Sequence, residues 1–411
     1  MSATVRTDFR RGACPGLSTP MQTGDGLLAR LLPTGTISLD AMAGLSAAAL
    51  HYGNRIIEVT SRGSIQVRGL THDSAPAFAD AVAELGIPAQ DGVPVIADPL
   101  AGLDPRQVID AGALAAELRA ALAEQTFAQQ LAPKISIAVD GGGGLHLDAL
   151  AADIRLRAVA TPAGPRLHVS AGGDAVSATP LGTIAPADAI DSVMRLLREI
   201  AEHGPEARAR DVIRAAPVDA TAPARTPAEA IGLHRLRRNK MAVGLGLPFG
   251  HTDTTLLNCL LRAAREADAN GVRAAPGRAL LVVGLTRPDA EVFTAAAHRL
   301  DFITEPGDPR RRVIACAGAP ICASGEIEAR GLAPAVARAA VRLTRPNETI
   351  HISGCAKRCA YQGVATYTVI GRDGVCDLFV EGASAGSCES WQLSRALGKI
   401  VFDRLQKLIH D

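Results

Sequence analysis

Aromatic side chains are scarce in this chain: one Trp, three Tyr and eight Phe, or 3% of 411 residues. Its cores must therefore be packed mainly from Ala, Leu, Val and Ile. An excess of either charge is missing too, since 43 Lys+Arg against 42 Asp+Glu leave a formal net charge of +1. That excludes a global basic field for nucleic acid or anionic membranes, so any positive charge used in binding has to be concentrated locally. No stretch approaches the ~18–20 apolar residues of a membrane span; LLVVGL at 280–285 is only strand-length. The N-terminal MSATVRTDFRRGACPG lacks the apolar segment of a secretory signal. Eight cysteines in a chain this long do not form the dense framework of a small disulfide-stapled domain. These absences point to a soluble cytoplasmic protein in a reducing compartment, with neither nucleic acid nor membrane as partner.

What is present begins with an ordinary globular balance, 47% hydrophobic and 21% charged, in a chain long enough for roughly two to four domains. The Ala/Pro-rich stretch AAPVDATAPARTPAEA at 215–230 has no apolar period and reads as a linker between halves of similar length. The halves are related. LPTG at 32–35 and LPFG at 247–250 each precede a helix-like stretch and then an aliphatic strand ending in Gly-Leu. Pro33 to Gly69 and Pro248 to Gly284 both span 36 positions, with Gly35 and Gly250 in register, so an internal duplication is expected. A helix–strand unit follows each repeat, and two such units can pair about a pseudo-twofold axis. Further on, ISIAVDGGGGLHLDALAADIRLRAV alternates like a hairpin turning at Gly141–Gly144; no Gly-Lys-Ser/Thr follows to make it a phosphate loop. The class is α+β.

Four cysteines stand apart. Cys316 and Cys322 form C-x5-C within CAGAPICASG, and Cys355 and Cys359 form C-x3-C within HISGCAKRCA. Two close pairs can deliver four thiolates, and a helix opening at 355 would put Cys355 and Cys359 on one face. Small residues at Gly318, Ala319, Ser324, Gly325, Ser353 and Gly354 let backbone N–H groups approach the sulfurs. Lys357 and Arg358 sit where they can offset the negative charge of a four-thiolate [4Fe-4S] cluster. Structural zinc favours tighter C-x2–4-C spacing, and unliganded core cysteines are the other alternative. Cys259 reads as core; Cys14, Cys376 and Cys388 have no assignment.

C-x5-C followed by C-x3-C resembles the cluster motif of the sulfite and nitrite reductase superfamily, whose cluster sits against siroheme. TSRGSIQVRGL at 60–70 resembles that superfamily's T-x-R-x-x-x-Q strand, with Thr60, Arg62 and Gln66 matching. RRGACPGLSTPMQTGDGLLARLLPTG at 10–35, PLAGLDP at 99–105, GLGLPFG at 244–250, CAGAPICASG and HISGCAK are similar to one branch of it, the precorrin-3B synthases. The likeness implies duplicated ferredoxin-like half-domains paired about a pseudo-twofold, plus two α/β sulfite-reductase-type domains, the C-terminal one carrying the cluster. The boundaries expected are 1–85 and 231–303 for the half-repeats, and 86–214 and 304–411 for the α/β domains. The implied reaction is O2-dependent hydroxylation of precorrin-3A at C20 with closure of a γ-lactone, in aerobic cobalamin biosynthesis. An external donor, an NAD(P)H-linked reductase or a ferredoxin, would supply electrons. A mononuclear non-haem iron is a further cofactor candidate, although no 2-His-1-carboxylate set stands out.

An anionic tetrapyrrole calls for arginines and lysines. Arg62 and Gln66 are candidates by motif, and Arg68 by strand parity with Arg62. Lys134 in LAPKISIAVDG matches the first lysine of the reductases' P-x-K-x-K. HRLRRNK at 234–240 adds Arg235, Arg237, Arg238 and Lys240; Lys357 and Arg310–Arg312 complete the set. His146 and His351 read as structural histidines on strands, with His351 kept as a site candidate four residues before Cys355. There are departures. Ser136 replaces the second lysine of P-x-K-x-K, which fits a different reaction. GVPVIAD stands where the reductases carry an Arg-Asn pair. Arg358 replaces the synthases' Gly, and Tyr361-Gln362 their His-Pro. The rival functions are a siroheme-dependent reductase, which needs siroheme and a second lysine, and a non-catalytic Fe-S or tetrapyrrole-binding protein, which needs a far smaller chain.

Overall fold

The computed structural model describes residues 15–214, 222–343, 345, 348–358, 360, 361 and 363–410. Cys14, Cys359 and Gln362 lie outside the described residues. No helix among the described residues is long and apolar enough to cross a membrane.

The duplication is visible strand by strand. Gly26–Leu31, Ile56–Val59 and Ile65–Leu70 form one antiparallel set with the last strand in the middle; Met241–Gly246, Gly271–Ala275 and Ala279–Leu285 form another in the same order. Helices Leu39–Tyr52 and Ser74–Glu84 belong to the first set, Thr254–Glu266 and Arg287–Arg299 to the second. Ser38 and Asp253 cap the two leading helices by accepting the N–H of Ala41 and Leu256. The glycines that ended each sequence repeat have a backbone reason. Gly69 (φ 73°) and Gly284 (φ 91°) turn over Asn54 and Asn270, where a Cβ would come within 2.5 Å and 2.4 Å of the asparagine side chain.

The repeats exchange edges reciprocally. His251–Asp253 of the second repeat pairs with Ile56–Val59 of the first, placing Thr252 opposite Ile57. Ile37 of the first repeat pairs with Val272 of the second, its N–H donating to Val272 O at 2.8 Å and its carbonyl accepting from Val272 N at 2.8 Å. The equivalent residues, 37 with 252 and 57 with 272, are each separated by the same interval as Pro33 and Pro248, so the pairing is that of a pseudo-twofold. One apolar core spans both repeats and holds Phe78 and Phe293, which are also equivalent.

The two α/β units share a topology as well. Val95–Ala97, Ile137–Asp140 and Ala152–Thr161 are parallel neighbours, extended by antiparallel Gly164–Gly173 and Thr179–Ile184. Val313–Ala315, Ile350–Ser353 and Tyr367–Arg372 are likewise parallel, extended by Val375–Val380 and Ala383–Glu389. This corrects the hairpin expected around Gly141–Gly144. The flanking strands run parallel, because the eleven residues 141–151 make a crossover instead of a two-residue turn.

Residues 222–230 are anchored to the first α/β unit. Arg225 reaches both Asp140 and Asp148, Arg157 Nη2 donates to Pro223 O at 2.6 Å, and His146 Nε2 meets Thr226 O at 2.8 Å. Because Phe78 and Phe293 fill equivalent places in one core, Phe78→Ala and Phe293→Ala are expected to destabilise the protein by similar amounts, ~3–5 kcal/mol each. Urea unfolding followed by circular dichroism measures both; a cost below ~1 kcal/mol for either would contradict the shared core.

Candidate functional site

The cysteine loops begin where two parallel strands end. In-register pairing of Ala315 with Ile352 brings the segments leaving Val313–Ala315 and Ile350–Ser353 out side by side. Cys316 N donates to Ile352 O at 3.1 Å, and Gly354 N donates to Cys316 Sγ at 3.0 Å. Cys322 N donates to Gly318 O at 2.7 Å, closing the first loop, and Glu326 N donates to Gly354 O at 2.7 Å, joining it to the second. A Cβ on Gly354 would lie 2.8 Å from Gly318 Cα and 3.4 Å from Cys316 Sγ, so the loops can close only over glycine. Gly24, in the turn between Met21–Thr23 and Gly26–Leu31, packs on the Cys322–Ala323 peptide, with no room for a Cβ (1.9 Å from Ala323 N). Cys316, Cys322 and Cys355 thus share one end of one sheet.

No helix opens at 355. Residues 355–358 form a turn with Arg358 at φ 51°, not the start of a helix; Cys359 lies outside the described residues. Glycine would adopt that left-handed backbone without the steric cost that a side chain incurs. A sulfur that accepts a backbone N–H, within a shell of glycines, fits a thiolate-bound cluster.

A cavity of about 690 Å³ lies between the first repeat and the first α/β unit. Arg30, Arg62, Lys134, Arg208 and Arg210 line it. The Arg62 guanidinium spans two elements, donating to Ser136 Oγ at 3.0 Å and Ala151 O at 2.9 Å. Asp153 is engaged by Arg208 at 2.8 Å and by Ser136 N at 3.0 Å, and with Asp91 it faces five basic side chains, so the lining is net cationic. A second cavity of about 550 Å³ adjoins the first across Leu32, Arg62, Gln90 and Ile96. Both volumes are those of small-molecule sites. Cys316, Cys322 and Cys355 line neither.

Similarity to known proteins accords with this geometry. The family described as "Nitrite/Sulfite reductase ferredoxin-like half domain" matches residues 19–85. A precorrin-3B synthase from Sinorhizobium sp is 37% identical over 98% of this chain and 90% of its own length. The chain belongs to the precorrin-3B synthase family. A ferredoxin–nitrite reductase from Synechococcus elongatus is 28% identical over 84% of this chain and 76% of its own. The solved structure of the NirA protein of Mycobacterium tuberculosis superposes with a TM-score of 0.73 at 19% identity, over 91% of this chain and 80% of that one, which shows the shared fold.

Within this synthase-family fold, the residues expected to bind substrate do not all converge. Arg62 and Lys134 meet at the cavity. Gln66 is buried; in the amide orientation that satisfies both neighbours it accepts from Arg30 Nε at 2.9 Å and donates to Glu58 at 3.1 Å, so it positions Arg30. Arg68 is buried elsewhere, paired with Asp25 at 3.2 Å and Glu58 at 3.8 Å. Parity fails because Arg62 sits in the turn closed by Thr60 N to Ser64 O, before the strand Ile65–Leu70 begins. Arg237 lines a separate cavity of about 670 Å³ with Arg106, Arg235 and Arg238; Lys240 lines none of the three. Lys357 bridges the cysteine loops through Ser324 Oγ at 2.8 Å. Arg310 is tied to Asp308 and Asp301 at 2.7 Å, Arg311 to Glu229 at 2.9 Å, and Arg312 to Arg345 O at 3.3 Å. Arg30, Arg208 and Arg210 were missed. Arg30, a lone charge in the strand GLLARL, was legible; Arg208 and Arg210 follow the helix Ala189–Glu202 and have no motif.

His351 is fully buried with no hydrogen-bond partner among the described residues. Burial pushes its pKa down to about 4, helped by Arg358 and Arg278, so it is neutral. His146 lies in the 141–151 crossover, not on a strand. Its group with Asp140 and Asp148 has metal-like spacing, but Arg225 bonds both carboxylates, with Arg155 and Arg157 alongside. A guanidinium already supplies the cation, so these residues do not fit an iron centre.

The α/β pseudo-symmetry reveals one more residue. Asp98 follows Val95–Ala97 as Cys316 follows Val313–Ala315, and its Oδ2 accepts from Gly141 N at 2.9 Å as Cys316 Sγ accepts from Gly354. It lines the second cavity. Burial raises its pKa to about 7, against the lowering by the Gly141 N–H and with further raising by Asp140 and Asp104. Because the folded value exceeds the unfolded one, this group stabilises most below about pH 4, and the contribution is lost as pH rises to about 7. Asp98→Asn, neutral at any pH, should therefore raise Tm relative to the parent at about pH 8 and change it little at about pH 3.5. Equal shifts at both values would show that Asp98 ionises normally.

Proposed function

We propose that the protein is a monooxygenase that hydroxylates precorrin-3A at C20, with γ-lactone formation, using O2 and two electrons from an external donor, an NAD(P)H-linked reductase or a ferredoxin. The balance is substrate, O2, two electrons and two protons giving water and a product with one more oxygen; the ring A acetate oxygen adds to the carbon beside C20 and its proton ends on the new C20 oxygen, so lactone closure releases nothing further. The observation that carries the reading is the cationic cavity whose central guanidinium, Arg62, binds Ser136. Two lysines at P-x-K-x-K serve anion reduction in the reductases. Here the second position is a hydroxyl that receives Arg62, and a lysine there would face a like charge.

Cys316, Cys322, Cys355 and Cys359 hold a [4Fe-4S] cluster in this reading. When bound, it supplies electrons one at a time. Arg30, Arg62, Lys134, Arg208 and Arg210 take the substrate's acetate and propionate groups, and Gln66 fixes Arg30. With a metal-free tetrapyrrole, Cys359 has no haem iron to bridge and serves as cluster ligand alone.

Anaerobically purified protein is expected to show a broad absorption shoulder near ~400 nm and about four irons with matching sulfide. Siroheme bands would favour the reductase, and a colourless zinc protein would overturn the cluster. Arg62→Ala should weaken binding of the precorrin about tenfold or more with the iron content unchanged, measured by absorbance titration; unaltered affinity would remove Arg62 from the site.

A further inference from the structure

The pseudo-twofold brings two turns together. Residues 60–64 of the first repeat and 275–278 of the second meet through an Arg62–Pro276 bridge and a hydrogen bond from Gly277 N to Ser61 O at 3.0 Å. Each turn sends one arginine outward. Arg62 goes to the cavity wall, while Arg278 goes to the second cysteine segment, donating from Nη2 to Ala360 O at 3.3 Å. Arg278 adopts φ 64°, and its stem crosses Gly250, where a Cβ would lie 2.6 Å from Arg278 Cδ. The glycine of the second LPxG repeat therefore has a local purpose: it lets this side chain pass.

The surroundings of Arg278 are poor in compensating charge. Burial lowers its pKa, and Glu58 is the acid that opposes this. Its charge and that of Arg358 both act on the buried, neutral His351 beside the second cysteine segment. Keeping a guanidinium in such a place is costly unless a negative group lies nearby.

We propose that Arg278 is a positioning residue for the cluster: it tethers the Cys355–Ala360 segment and provides the fixed positive charge that favours the reduced state. The inference rests on the four-cysteine reading and adds a residue from the other repeat to it. One-electron reduction adds one negative charge to a thiolate-ligated cluster, so a nearby guanidinium stabilises the reduced form more than the oxidised one.

The test is an EPR-monitored dithionite titration of the anaerobic full chain carrying Arg278→Gln, Arg278→Lys, or Arg287→Gln as a distant exposed control, with thermal melts alongside. Arg278→Gln should lower the equilibrium constant for reduction roughly tenfold, a shift of about 59 mV to more negative potential for one electron. Arg278→Lys should recover most of the shift, and Arg287→Gln should show none. A purely structural role would lower Tm in both Arg278 variants and leave the midpoint unchanged, which overturns the proposal. If Arg278→Gln fails to fold, Arg278→Met, which keeps the apolar stem and removes the charge, takes its place, and an unchanged midpoint in it overturns the proposal equally. Unmodified protein without a cluster signal would overturn the cluster reading and this inference together; a cluster signal with unmoved midpoints overturns this inference alone.

Discussion

Reciprocal strand pairing at the pseudo-twofold is the constraint on which the rest depends. Ile37 with Val272 and Thr252 with Ile57 join the edges of the two repeats into one framework over one apolar core. Backbone hydrogen bonds set that register, so neither repeat can shift without unpairing buried polar groups. The turns beside the axis are fixed by the same pairing. Arg62 and Arg278 are therefore held in place by the framework, not by the loops they reach.

From that junction the molecule becomes asymmetric. The α/β units share a topology, and each sets a hydrogen-bond acceptor one residue beyond its first parallel strand, Asp98 in one and Cys316 in the other. The same backbone geometry thus presents a carboxyl on one side and a sulfur on the other. On the first side the crossover after Ile137–Asp140 is bound by Arg225 and carries no thiol; on the second it carries Cys355. Duplication supplied the scaffold, and a few side chains divided the chemistry.

Arg278 apart, several buried charges are balanced locally. Glu58 serves Arg68, Arg330 and Gln66; Asp153 serves Arg208; Asp148 and Asp140 serve Arg225. A protein of net charge +1 can in this way hold a strongly cationic cavity while most of its arginines act as structural ties. Such pairs are worth little on the surface but are hard to break inside, where removing one partner strands the other.

By itself the sequence determined the repeat, its glycine-marked turns, the four-cysteine pattern and the family. Each is a local spacing, and spacing survives in one dimension. Arg62 and Lys134 were legible because they sit in motifs. Arg68 was misjudged because parity holds only within a strand, and Arg62 lies in the turn before it. The parallel crossover at Gly141–Gly144 was hidden because alternation around glycine is the same for a hairpin and a βαβ-like return. Only the tertiary structure decided which arginines face the cavity, that Arg225 rather than a metal joins Asp140 and Asp148, and that Arg278 reaches the cysteine segment from the other repeat. Those are contacts between residues far apart in the chain, set by how sheets stack and which edges pair.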